Sequence, residues 1–254
     1  MCPIELLQAL GLDNEKMHRR LAQPRAGKPI LEVLERFGNG QPLSPAHHAT
    51  KVFWLGRGRH DNYRIAVYEM AFVHVLARMG KLPEDFKDWR SYREKDTGFT
   101  VAHAAAQAGT LPTDFKDWGL ADEDSWTVAH HVLMRGPLPA DFKRWEMASW
   151  AGYTVAHLAA NMGHLPENFK DWPLVFNGQT VAHHLVRCGK QVFPPGFDLW
   201  HLEDHQGVSV IDHARACGRL DIVAQHETWR LQSAMKDTEE DAPISSSRIH
   251  RHGV

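Results

Sequence analysis

Cysteine is scarce in this chain: three in 254 residues, at Cys2, Cys188 and Cys217. So low and odd a number excludes a disulfide framework and points to free thiols in a reducing compartment. Neither sign of charge is in excess, with 29 Lys and Arg against 31 Asp and Glu. That balance removes any global pull toward nucleic acid or a membrane surface. Residues 1–80 carry 11 basic against 7 acidic side chains, a bias small enough for a solvated face. No apolar run approaches the ~18 residues that span a bilayer. The opening MCPIELLQALGLDNEK has neither the basic nor the apolar region of a Sec signal. Cytoplasmic residence is the expectation, with a signal-less secretion route also open.

Histidine, by contrast, is abundant at 18 residues, and a repeat explains most of it. Residues 98–118 read GFTVAHAAAQAGTLPTDFKDW, and residues 152–172 read GYTVAHLAANMGHLPENFKDW. Aligned on the histidine, the columns contain His103, His130, His157 and His183, with Gly109, Gly136, Gly163 and Gly189 six residues on. Leu-Pro follows in the first three, with Phe193-Pro194 in the fourth, then Phe115, Phe142, Phe169 and Phe197, then Trp118, Trp145, Trp172 and Trp200. A degenerate unit precedes these (His74, Gly80, Phe86, Trp89). Another follows, with Gly207, Ser209 and Gly218 and with Asp212 in the histidine column. The spacing is 26–29 residues over roughly 65–230. A fixed period of this length signals units that bury their apolar faces only against neighbours.

Within a unit, the tetrads DTGF, FNGQ and HQGV read as tight turns. Thr then stands where a helix N-cap belongs. VAHxAAxxG is a short Ala-rich helix, with the glycine ending it in the left-handed region. Leu-Pro opens a second short helix on which Phe and Trp, three apart, share a face. The Phe and Trp columns are the expected inter-unit core.

The stretch Gly-x-Thr-x-x-His-x-Ala-Ala-x-x-Gly resembles the first helix of an ankyrin repeat, and Gly218-Arg219-Leu220-Asp221-Ile222-Val223 strengthens the likeness. The units run about 27 residues against 33, with Val-Ala in place of Pro-Leu. The resemblance implies an all-α, ankyrin-like α-solenoid of five to six short helix-turn-helix repeats. It divides the chain into an N-terminal helical capping region (1–64), a repeat array (65–232) and a disordered tail (233–254). In such repeats the matching histidine bonds its own turn and the next unit's backbone.

The column histidines therefore read as structural. Successive equivalents stand ~8–10 Å apart, too far to share a zinc ion at ~2 Å bonds, so no metal and no cofactor is expected. In the doublets His130-His131 and His183-His184, adjacent helical residues point apart, which places the second member, His131 or His184, on a partner-facing surface. Cys188 and Cys217, in one column of adjacent units, read as buried inert thiols. GRGRH (56–60) lacks the Gly-Lys-Ser/Thr of a phosphate loop and reads as a solvated turn.

One variable residue separates each turn glycine from its Thr: Phe99, Tyr153, Gln179 and Val208, with Trp126 in the equivalent place and Trp150 nearby. The resemblance puts this column on the recognition surface, and aromatic residues dominate interface energetics. The expected function is a non-catalytic module that binds another protein through a concave face and loop tips. The expected contact set is Phe99, Trp126, His131, Trp150, Tyr153, Gln179, His184 and Arg187. The rival reading is an enzyme with its site in the non-repeat N-terminal region, built from His47, His48, His60 and Asp61. Those four form no recognisable nucleophile, base and orienter set. Nucleic-acid binding through the basic first third is a third class.

Overall fold

A computed structural model describes residues 3–57, 65–95, 97–188 and 190–240. The chain divides into two compact units, Met1–Leu158 and Ala159–Val254. Among the described residues there are eleven helices and two two-stranded antiparallel sheets.

The first unit opens with α1 (Pro3–Ala9), α2 (Glu15–Leu21), α3 (Pro24–Gly38) and the single turn α4 (Pro45–His48). Asn14 caps α2 by accepting from the Met17 N–H, and its side-chain amide donates to Phe53 O at 2.7 Å. The α2–α3 crossing requires Gly27, because a Cβ there would lie 2.5 Å from the Leu21 carbonyl oxygen. Strands β1 (Lys51–Arg57) and β2 (Ile65–Ala71) pair in register from Lys51 opposite Ala71 to Arg57 opposite Ile65. Leu6, Leu12, Met17, Ile30, Val52 and Phe72 lie in one apolar core that joins this hairpin to the helices.

Three repeat helices follow in this unit: α5 (Phe72–Arg78), α6 (Val101–Ala108) and α7 (Val128–Leu133). The unit boundary falls inside α8 (Val155–Met162). The second unit continues with β3 (Val175–Phe176), β4 (Gln179–Thr180), α9 (Val181–Cys188), α10 (Val210–Ala216) and α11 (Leu220–Glu240).

Two expectations are corrected. The fold is mixed α/β, not an all-α solenoid: two antiparallel sheets interrupt the helices. The N-terminal region is accordingly not a purely helical cap. Its apolar runs VFWL and IAVY flank a polar Gly-rich stretch, which is the pattern of a hairpin. Nor does the second helix of each repeat form. Between Pro and Phe there is one turn, closed by Phe115 N–H to Pro112 O at 3.2 Å and Phe142 N–H to Pro139 O at 3.0 Å. A second turn follows, as in Leu120 N–H to Asp117 O at 3.0 Å. The segment is too short to repay helix nucleation, and its carbonyls have better partners. Trp118 O and Leu120 O accept from Ala129 and Val128 at the start of α7, and Trp145 O and Met147 O accept from Ala156 and Val155 at the start of α8. In the second unit Trp200 O and Leu202 O do the same for Ile211 and Val210. Helix amides that have no partner within the helix are thus filled by the preceding turn.

The aromatic columns are the core the sequence pattern suggested, built on turns instead of helices. In the first unit the rings form an edge-to-face ladder. Phe86–Trp89, Trp89–Phe115, Phe115–Trp118, Trp118–Phe142 and Phe142–Trp145 stand at 5.1, 5.5, 5.2, 5.9 and 5.0 Å. In the second unit Phe169–Trp172, Trp172–Phe197 and Phe197–Trp200 stand at 4.8, 5.2 and 4.9 Å. Each such pair is worth ~0.5–1.5 kcal/mol beyond the area it buries.

The terminal glycines adopt the left-handed conformation at Gly80, Gly109, Gly163 and Gly218. Gly136 does not: Pro137 follows it and disfavours the helical regions for the residue before it. Correspondingly, α7 stops at Leu133. Residues 233–240, expected as the start of a disordered tail, continue α11, and 241–254 lie outside the described residues.

The ladder generates a direct test. Phe142→Ala or Trp145→Ala removes a buried rung and is expected to cost ~3–5 kcal/mol of unfolding free energy in chemical denaturation. A cost below ~1 kcal/mol would show that the rings do not hold successive repeats together.

Candidate functional site

Helices α6 to α9 start with the same polar arrangement. Thr100 Oγ1, Thr127 Oγ1, Thr154 Oγ1 and Thr180 Oγ1 lie 2.7–2.8 Å from Nδ1 of His103, His130, His157 and His183. The backbone N–H groups of Thr100 and Thr127 also donate to those Nδ1 atoms, both at 3.2 Å. Nδ1 is therefore an acceptor and Nε2 carries the proton. Nε2–H of His103, His130 and His183 donates to the carbonyls of Trp126, Tyr153 and Val208, at 3.3, 3.2 and 3.0 Å. Each of those carbonyls precedes the capping Thr or Ser of the next unit. One neutral imidazole thus closes its own helix cap and ties it to the following hairpin tip.

The same device stands where the sequence pattern was not recognised. Ser44-Pro45-Ala46-His47 repeats Thr-Val-Ala-His, and Ser44 N–H donates to His47 Nδ1 at 2.9 Å. His47 Nε2 meets Glu32 Oε1 at 3.3 Å instead of a tip carbonyl. At the other end Asp212 replaces the histidine and pairs with Ser209 Oγ and Arg215. His48, the next member of the N-terminal candidate set, packs its ring against Phe86 and Tyr92. His60, Asp61 and most of GRGRH lie outside the described residues.

The tips are short hairpins, made by the bridges Ala121–Thr127, Ala148–Thr154 and Glu203–Ser209 and by β3–β4. They are linked to one another by backbone: Glu123 N–H to Thr97 O at 3.0 Å and Trp150 N–H to Asp124 O at 3.1 Å in the first unit, and His205 N–H to Gly178 O at 2.9 Å in the second. Asp122 Oδ1 accepts from the amides of Asp124 and Trp126, fixing its tip.

This geometry sorts the expected contact residues. Trp150 is 76% exposed. Gln179 is half-buried and Arg187 is exposed. Phe99 is only 8% exposed and lies on the His103 ring at 4.9 Å. Trp126 and Tyr153, both half-buried, lie on His130 and His157 at 5.1 and 5.9 Å, and the Tyr153 hydroxyl donates to His157 O. These three aromatics cover the imidazole beneath them.

The second histidines of the doublets are also corrected. His131 and His184 are 3% and 2% exposed and do not form a partner-facing surface. His131 Nε2 meets Asp122 Oδ2 at 3.3 Å, and its ring lies against Phe99 and His103. His184 packs against Phe176 and accepts from Arg187. Cys188 is half-buried beside Asn161, with its thiol pushed up by burial, but Cys217 is exposed rather than buried. Among the described residues no group of three or more His, Cys, Asp or Glu could hold a metal ion, and no helix is long and apolar enough to cross a membrane. No family model matches the chain, and no curated protein is significantly similar to it.

Burial acts strongly on the column. It drags His103 from 6.5 down to about 3, with His131 adding to the shift, and it lowers His74 from 6.5 to about 4. His183 is lowered for the same reason. Because the folded values lie below the unfolded one, the unfolded chain takes up these protons first. The stabilisation is complete above the unfolded value of 6.5 and is lost as pH falls toward about 3. Unfolding free energy is expected to fall from about pH 6.5 downward, by up to ~1.4 kcal/mol per pH unit for each such histidine. Denaturation midpoints equal at about pH 7 and about pH 5 would contradict the neutral bridging role. His103→Leu strands the Thr100 and Trp126 groups and is expected to cost ~2–4 kcal/mol in the same assay.

Proposed function

We infer that this chain is a protein-binding module whose contact surface is the set of hairpin tips in the first unit, anchored by Trp150. The observation that carries this reading is the exposed indole on a tip whose backbone is pinned to its neighbour through Asp124. A rigidly presented aromatic loses little freedom on binding and is the residue type most enriched among dominant interface contacts. The column histidines and the caps are occupied in holding the scaffold together, which leaves the tips as the surface free to vary. Exposed Glu123, next to Asp124, gives the rim beside Trp150 an acidic character. A complementary partner offers an apolar slot bordered by basic side chains.

Among the anticipated anchors Trp150 is the clean probe, because Tyr153 also packs on its histidine. Trp150→Ala is expected to leave unfolding free energy within ~0.5 kcal/mol of the parent. It is also expected to weaken capture of a stoichiometric partner at least ~10-fold in quantitative pull-downs. Retention of the same partner by the variant, or its absence from both, would refute the tip surface. A stability loss of several kcal/mol would instead show that Trp150 belongs to the core.

A further inference from the structure

The first unit contains a hollow of about 300 Å³ that the binding surface proposed above does not use. Its apolar wall includes Leu10, Val75 and Met79, and Trp54 of β1 closes one side. Two guanidinium groups, Arg78 and Arg135, line it, and among the described residues no carboxylate does. Gln107 holds both: its side-chain Oε1 accepts from Arg78 Nη2 at 2.9 Å, and its backbone carbonyl accepts from Arg135 Nε. Gln107 is itself fixed in orientation, with Nε2 3.5 Å from His131 Nδ1 and His131 held in turn by Asp122. The Arg78 guanidinium lies over the Trp54 indole at 4.3 Å, and its buried Nε–H has no acceptor among the described residues. Gly11 admits this arrangement, since a Cβ there would lie 3.0 Å from Trp54 Nε1.

Two like charges brought together beside an apolar wall repel one another unless a counter-charge joins them. Burial pulls the Arg78 pKa down to about 10; Glu94, which does not line the hollow, opposes this, and the Arg135 charge adds a smaller lowering. Arginine pairs of this kind match the planar oxygens of carboxylates and phosphates. We propose that the hollow between Arg78, Arg135 and Trp54 is a binding site for a small organic anion, its carboxylate or phosphate on the two guanidiniums and its apolar body against Leu10, Val75 and Met79. The volume suits a ligand of about ten heavy atoms, at the small end of ligand cavities. The same headgroup chemistry is offered by a free metabolite-sized acid and by the C-terminal carboxylate of a peptide.

Titration calorimetry of the full chain with benzoate and with phenyl phosphate tests the site. Saturable binding with Kd of about 1 mM or tighter is expected for at least one of them. It should weaken at least ~10-fold in Arg135→Gln and fall with added salt. Arg78→Lys, which keeps a charge but loses the fork, serves as the second variant, and a denaturation curve confirms that each variant is folded. In a second arm, a dipeptide with a free C-terminus is compared with its C-terminal amide. Preference for the acid over the amide assigns the anion to chain ends, and benzoate binding without that preference assigns it to free acids. The proposal is overturned if neither anion saturates by about 10 mM, if benzyl alcohol binds as well as benzoate, or if folded Arg135→Gln and Arg78→Lys both bind with parental affinity.

Discussion

The neutral imidazole of the Thr-x-x-His box is the constraint on which the repeats depend. The helices it caps are six to eight residues long from α6 to α9, well below the ~12–15 residues at which an isolated helix becomes even marginal. What makes them viable is that their free ends are filled from outside. The imidazole accepts from its own Thr and donates to the next tip, while the preceding turn fills the first amides. A protonated ring would lose its acceptor, so the same burial that protects the bond sets the charge state it requires.

A consequence is that little of the polar chemistry in the repeats is free for anything else. Phe99, Trp126 and Tyr153 spend their faces on the histidines beneath them, and Asp122 is taken up by tip amides and His131. The proposed sites accordingly rest on groups outside these bonds, the exposed Trp150 indole and the two arginines gathered around Gln107. The two proposed sites rest on different observations and do not require each other.

Much of the local structure was legible because it is set by short-range chemistry. Thr before an Ala-rich run, glycine at its end and the Phe and Trp columns all follow from spacing. Ser44-Pro45-Ala46-His47 carried the same signal in four residues and is easily passed over, since a strand instead of an Ala-rich helix follows it. The apolar runs VFWL and IAVY around a polar, Gly-rich stretch fit the hairpin that forms, although the region was expected to be a helical cap. Reading LPxDFxxW as a helix went wrong for a physical reason: the aromatic spacing is as well served by two tight turns, and those turns release carbonyls for the next helix.

The sequence by itself determined the caps and the turns, because each rests on residues within a few positions of one another, and the aromatic composition of the repeat core, because its columns recur at a fixed period. Tertiary structure alone decided that His131 and His184 are interior, that Phe99 is a lid on His103 and that Arg78 and Arg135 meet through Gln107. Those outcomes depend on which face a neighbouring element covers. A side chain's exposure and partners are properties of the packed neighbours, not of the residue's own local pattern.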